Sequence, residues 1–210
     1  MVASRCGTRS WITMEAIEKI KEVAAQAVAG AQIEIVNSTP AAAQPSLLVD
    51  REHIYAVAKF FKEDPCFQMD FCSCVTGVDY LPKDDKPGYI EVVYHLYSVA
   101  LKQGPIVLKV RAPRELEQCR VPSLTPLWRG CEFQEREAYD LYGVKFDGHP
   151  DLRRILMWDE FKDHPMRKDY VPPMDYEWEP TAHDDTLARA ENTGGIVPPS
   201  AIEEAHKAKK

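Results

Sequence analysis

YIEVVYHLYSV (residues 89–99) alternates with a period of two: Ile90, Val92, Tyr94 and Leu96 fall on one side, and Glu91, Val93, His95 and Tyr97 on the other. Such alternation marks a strand with one face against a core. Two neighbouring runs repeat it. In IVLKVR (106–111) Ile106, Leu108 and Val110 alternate with Val107, Lys109 and Arg111, and in QMDFCSCVT (68–76) Met69, Phe71 and Val75 share a face. The segments between them, PKDDKPG (82–88) and KQGP (102–105), carry turn residues suited to hairpins, which predicts a three-stranded meander.

Upstream, Ile17, Ile20, Ala24, Ala27 and Val28 recur at steps of three and four, a helical stripe with Gly30 as its stop. QIEIV (32–36) reads as a short strand with Ile33 and Ile35 on one face, and NSTPAAAQPS (37–46) as a loop. Asp50 is placed to cap a second helix that carries Ile54, Val57, Ala58 and Phe61 on one side and stops near Pro65. Downstream, VPSLTPLWRG (121–130) reads as a short capped turn, and CEFQEREAYDLYG (131–143) as a helix closed by Gly143.

This order predicts an α+β fold: helices packed on one face of a mostly antiparallel sheet, then a charged helix-loop segment and an extended C-terminal tail. The expected organisation is an N-terminal extension or misplaced start over residues 1–13, an α+β domain over 14–120, a signature helix and docking loop over 121–170, and the tail over 171–210. The tail shows no sustained apolar period, so it is expected either to be disordered or to lie along another protein.

A net charge of −7 argues against a nucleic-acid partner, because affinity for phosphate comes from clustered Lys and Arg. No run approaches the ~18 consecutive apolar residues that span a bilayer, so membrane association is expected only through partners. The cysteines at positions 6, 66, 72, 74, 119 and 131 form no regular framework and read as reduced, partly buried thiols of a cytosol-like compartment.

Residues 135–170, EREAYDLYGVKFDGHPDLRRILMWDEFKDHPMRKDY, concentrate carboxylates, histidines and arginines as an active site would. The geometry disfavours catalysis. Glu135 and Glu137, two apart on a helix, point about 200° away from each other and do not converge on one substrate atom. A ladder from Glu132 to Arg136 to Asp140 suits helical spacing better. His149 and His164 lie far apart in the chain with no cysteine at metal-ligand spacing, and Cys72 and Cys74, expected on one face of a strand, have no second pair. Neither a Gly-rich phosphate loop nor a nucleophile elbow is present. Arg153, Arg154, Arg167, Lys168 and Asp169 interleave both charges with Trp158, Phe161, Pro165 and Tyr170, a composition that fits a protein–protein interface better than a solvated face.

At this stretch the sequence resembles the 30 kDa subunit family of respiratory complex I, the bacterial members of which are the C subunits of NADH–quinone oxidoreductase. The resemblance rests on Glu135-Arg136-Glu137, Asp140, Leu141-Tyr142, His149, Arg153 and Ile155-Leu156, on HPMRKDY (164–170), and on EVVYHLYS and VPSLTPLW upstream. It spans roughly residues 50 to 172. Departures are Trp158 in place of Pro, Asp163 in place of Gly and Val171 where Pro often follows. The resemblance implies a peripheral-arm subunit with no catalytic, cofactor-binding or metal residues of its own; FMN and iron–sulfur clusters lie in partner subunits. It implies docking onto the quinone-site large (49 kDa-type) subunit, with NADH and quinone met only through the complex. The implied location is the cytoplasmic face of the bacterial inner membrane, or the mitochondrial matrix side of that organelle's inner membrane. The expected interface comprises Glu135, Arg136, Glu137, Asp140, His149, Arg153, Arg154, Trp158, His164, Arg167, Lys168, Asp169 and Tyr170. The alternatives are the equivalent subunit of a hydrogenase, a plastid ferredoxin-linked complex or an archaeal deazaflavin-linked dehydrogenase, and a stand-alone α+β binding module.

Overall fold

The structure is a computed structural model that describes residues 14–37, 45–84 and 86–171. The chain divides into two units, residues 1–170 and 171–210; of the second only Val171 is among the described residues. The expectations for residues 1–13 and for the rest of the tail lie outside the described residues.

Along the chain run helix α1 (Met14–Ala27), strands β1 (Ile33–Asn37) and β2 (Pro45–Val49), helix α2 (Ile54–Glu63), the long strands β3 (Phe71–Tyr80), β4 (Tyr89–Ser98) and β5 (Gln103–Pro113), strand β6 (Arg120–Pro122), helix α3 (Cys131–Tyr142) and strand β7 (Lys145–Asp147). Five strands form one sheet in the order β1-β2-β5-β4-β3, antiparallel throughout except for β2 beside β5. Strands β6 and β7 make a separate parallel pair. The alternation read in the meander sets its register: Val92 lies opposite Val110 and Tyr94 opposite Leu108. Ile90, Val92, Tyr94, Leu96, Ile106, Leu108 and Val110 are buried with Ile17, Ile20 and Ala24 of α1 and Ile54, Val57, Ala58 and Phe61 of α2. The α+β architecture is as expected.

Several local expectations fail. Pro45 and Ser46 belong to strand β2 rather than to a loop. The strand lies between two neighbours and is buried at nearly every position, so it has no alternation to betray it. Phe71 does not share a face with Met69 and Val75. A register shift between Cys72 and Cys74 leaves Phe71 exposed and Cys72 buried, so Cys72 and Cys74 do not share a face either. Asp50 does not cap α2. It accepts the backbone N–H groups of Gln32 and His53 and closes the preceding turn, while His53 occupies the cap position without capping the helix through its side chain, which meets Asp50 instead. Ala27, assigned to the core stripe of α1, is exposed.

The reverse face of the meander is not simply solvated. Glu91 is buried there between Lys109 (3.1 Å) and Arg111 (3.0 Å), so two cations compensate its charge. Helix α3 lies along the outer edge of β3. Gln134 accepts the Val75 N–H, and the Tyr142 ring covers Gly77, where an added Cβ would meet the ring at 2.6 Å. The edge of β3 is thereby covered at Val75 and Gly77, and α3 is tied to the sheet there.

Candidate functional site

Helix α3 is unusual in what it buries: Glu135, Arg136 and Asp140 turn inward with Cys131 and Ala138. A charged group taken out of water needs partners, and each finds them in a loop. Glu135 accepts hydrogen bonds from Ser123 Oγ (2.6 Å), the Leu124 N–H (2.8 Å) and Thr125 Oγ1 (3.1 Å), and so holds the turn that precedes the helix. Burial raises its carboxyl above the usual range, and these three bonds only partly offset that. Glu137 faces solvent, so the two glutamates diverge as helical geometry requires.

The expected ladder from Glu132 through Arg136 to Asp140 does not form. Arg136 donates instead to the carbonyls of Arg153 (3.1 Å) and Arg154 (3.0 Å). Asp140 accepts Arg154 Nη1 on one oxygen (2.6 Å). Its other oxygen accepts three successive N–H groups, of Ile155 (3.0 Å), Leu156 (2.7 Å) and Met157 (2.8 Å). Three convergent amides make an anion nest, filled here by the chain's own carboxylate. Burial alone would raise the Asp140 carboxyl; the amides and Arg154 outweigh it and hold the group below its ordinary value. A surface i to i+4 pair contributes only a few tenths of a kcal/mol, about 0.2–0.5, and is outcompeted.

The same loop completes the end of α3. The last carbonyls of a helix lack partners within it. Gly143, left-handed at φ 77°, bonds back to Tyr139, and the next three carbonyls are capped from residues 164–167. His164 Nδ1 donates to the Asp140 carbonyl (2.8 Å), the Met166 N–H to that of Leu141 (3.1 Å), and Arg167 Nε to that of Tyr142 (2.7 Å). Arg154 and Arg167 also bring positive charge to the negative end of the helix dipole. An added Cβ on Gly143 would sit 2.7 Å from the His164 ring, so glycine is required for space as well as for conformation.

His149 accepts the Asp151 N–H on Nδ1 and donates Nε2–H to the Glu132 carbonyl, so the two predicted histidines serve separate backbone contacts. Lys168 and Asp169 are tied to residues that sequence reasoning missed. Arg114 grips Asp79 through Nε (2.6 Å) and Nη2 (2.8 Å) and reaches Asp169 (2.6 Å), while the Lys168 N–H bonds to Asp79 (2.8 Å). A signal for Asp79 existed: it falls at the buried step of Val75 and Gly77, where an acid must have a partner. Trp158 packs edge-on against Phe161, which lies beside Tyr170. Facing outward around this framework are Phe133, Ile155, Leu156 and Met166, with Glu137 and Arg153 among them.

Among the described residues, one group has metal-type ligand atoms within reach of each other: Asp50, Glu52 and His53, within 4.8 Å. It lines a surface cleft with Arg120 and Asp147, and both Asp50 oxygens already accept N–H groups. No helix among the described residues is long and apolar enough to cross a membrane.

Fold and site together define an α+β chain whose charged segment is spent on holding an irregular loop against one helix. The chain belongs to the family described as the respiratory-chain NADH dehydrogenase 30 Kd subunit, whose profile matches residues 47–176. It is similar to the second NADH-quinone oxidoreductase C subunit of Rhizobium meliloti, with 44% identity over 123 residues, 58% of this chain and 63% of that protein. It is also similar to the C subunit of the Citrifermentans bemidjiense enzyme, with 37% identity over 155 residues, 74% of this chain and 87% of that one. The match thus spans under two thirds of the Rhizobium meliloti protein's length. In fold it is similar to a chain of the membrane-bound sulfane sulfur reductase, an archaeal respiratory membrane complex, at TM-score 0.56 and 24% identity over 87% of this chain and 93% of that one.

Proposed function

We propose that this chain is a non-catalytic peripheral-arm subunit of a proton-translocating NADH:quinone oxidoreductase that docks onto the quinone-site large (49 kDa-type) subunit and holds it in register. Electrons would pass from NADH to quinone through FMN and iron–sulfur clusters of partner subunits, and contact with the membrane would be through partners. The proposed location is the cytoplasmic face of a bacterial inner membrane, with the mitochondrial matrix side as its organellar equivalent.

The observation that carries this reading is the pose of Ile155 and Leu156. They protrude, 38% and 57% exposed, from a loop whose backbone is pinned from beneath by Asp140 and Arg136. Apolar side chains on a preorganised loop bind a partner without the cost of ordering it. Within the expected interface, Glu135, Arg136, Asp140, Arg154, His164 and Arg167 act through this framework. Glu137, Arg153, Lys168 and Asp169 are the members at the surface.

The test is isolation of the tagged chain from mildly solubilised native membranes, with mass spectrometry and an NADH:quinone assay on the eluate. Recovery with a quinone-site subunit, a flavoprotein and NADH activity supports the reading. A hydrogenase-type large subunit in the eluate would keep docking and change the donor, and a chain recovered alone would sink it.

A further inference from the structure

We propose that Arg114 and Asp79 are positioning residues for docking, which fix the pose of Arg167, Lys168 and Asp169 before any partner arrives. The inference rests on the docking reading above and assigns a role to two residues outside the charged segment.

Residues 164–170 contain no regular helix or strand, so side chains must set their course. As far as Arg167 the end of α3 does this. Beyond it the hold passes to the sheet. Asp79, near the end of β3, has a side chain only 1% exposed, and the Arg114 guanidinium engages both its oxygens. The same guanidinium spans to Asp169 with Nη1 (3.0 Å) and Nη2 (2.6 Å). Asp79 also accepts the Lys168 N–H, and Arg167 Nη1 donates to the Arg114 carbonyl (2.7 Å). The turn between β3 and β4 crowds the arginine from behind: a Cβ on Gly88 would meet Arg114 Cδ at 2.9 Å. Lys168 lies over the Tyr80 ring, which stacks on Tyr89.

The two carboxylates differ in a way that assigns their parts. Asp79 is buried and anchors the arginine, whereas Asp169 is 56% exposed and is the end being held. A planar guanidinium with five donors can chelate one carboxylate and still reach another; an ammonium cannot do both. Met166 and Lys168 are exposed on the stretch held in this way.

The test uses the full chain carrying Arg114→Lys, Asp169→Asn or the conservative Asp169→Glu. Hydrogen exchange is followed over residues 164–170 and over β4 and β5, and each variant is then isolated from native membranes. Arg114→Lys should raise exchange at residues 167–170 about tenfold or more, and Asp169→Asn by less, with the sheet amides unchanged. Recovery of the large subunit should fall in the same order, and Asp169→Glu should restore it. If Arg114→Lys unfolds the chain, Asp169→Asn decides, because it removes only the exposed arm. Unchanged exchange at residues 167–170 would overturn the positioning role. Raised exchange with undiminished recovery of the large subunit would leave the clamp standing and overturn its role in docking, whereas failure of the parent chain to bring down the large subunit would overturn the docking reading itself.

Discussion

His164 donates its Nδ1 hydrogen to the carbonyl of Asp140, 24 residues earlier, at 2.8 Å. The bond joins the last turn of α3 to the far end of the segment expected to meet a partner. It also fixes the tautomer, since Nδ1 must carry the hydrogen. Burial, aided by the charges of Arg154 and Arg167 and opposed by this bond, lowers the affinity of the imidazole for a second proton.

A pH dependence follows with a definite sign. With its folded pKa lowered, His164 takes up a proton more readily when unfolded, so stability rises with pH between the two values. The contribution is complete above the unfolded pKa of about 6.5 and is lost as pH falls below it. Asparagine at position 164 keeps a donor but does not titrate. The thermal midpoint of the parent should therefore fall more steeply between pH 7.5 and 5.5 than that of His164→Asn; equal slopes would contradict the assignment.

Asp140→Asn should be the costliest single change in the site. It turns an acceptor of three amides into a group that also presents donors, and it leaves Arg154 without its carboxylate at a largely buried position. Loss of one partner of a buried pair costs roughly 3–5 kcal/mol. For a chain of this size that corresponds to a drop in midpoint of about 10 °C. Asp140 also contributes at low pH. Its lowered carboxyl stabilises the fold above the unfolded value of about 3.9 and ceases to as pH falls below it. Calorimetry at pH 7 and pH 3.5 checks both statements.

Glu135 should behave in the opposite sense. Its folded carboxyl is raised by burial, so its contribution is greatest below the unfolded value and is lost as pH rises through the folded one. Glu135→Gln keeps an acceptor for the Leu124 N–H, and the hydroxyls of Ser123 and Thr125 can rotate to accept instead. Its cost near pH 7 should be about 1 kcal/mol or less, and the variant should gain on the parent as pH rises from 4 to 7. Denaturant titrations at the two pH values measure this.

What was legible in the sequence follows the range of the interactions. The meander, the core faces of α2 and the Gly143 stop of α3 are local patterns, and they stand as read. The pairing of Asp140 with Arg154 across 14 residues has no period. The rule for neighbours on a helix therefore assigned Asp140 and Arg136 to each other, when both serve the backbone of residues 153–157. Strand β2 escapes because it is buried at nearly every position and so shows no alternation, and Phe71 is misplaced because a bulge reverses the period in mid-strand. Arg114, just beyond β5, gave no local sign of bridging two carboxylates.

Two glycines with similar backbones separate conformational strain from crowding. Gly143 has φ 77° with the His164 ring 2.7 Å from an added Cβ, whereas Gly148 has φ 82° and nothing within 4 Å. Alanine at either position carries the left-handed penalty, about 1–2 kcal/mol. Only Gly143→Ala should also displace His164 and release the Asp140 carbonyl. Gly143→Ala should thus destabilise the chain more than Gly148→Ala and raise hydrogen exchange at Arg167, whose N–H bonds to the His164 carbonyl. Equal effects would mean that the His164 ring moves aside freely.

The docking reading makes its sharpest prediction at Leu156. The side chain is more than half exposed, while its backbone N–H is held 2.7 Å from Asp140 Oδ2. Because the N–H fixes the loop and the side chain does not, Leu156→Asp should leave the isolated chain close to its original stability, within about 0.5 kcal/mol, as for most surface changes. In an apolar seat on a partner the new carboxylate would be desolvated without a counter-charge, so association should weaken by at least about tenfold. Thermal melting of the free chain and its recovery in membrane complexes are the paired measurements. An unaltered melt with lost recovery supports a docking tip at Leu156. An unaltered melt with full recovery removes Leu156 from the interface, and a lowered melt would mean that this side chain supports the loop from within.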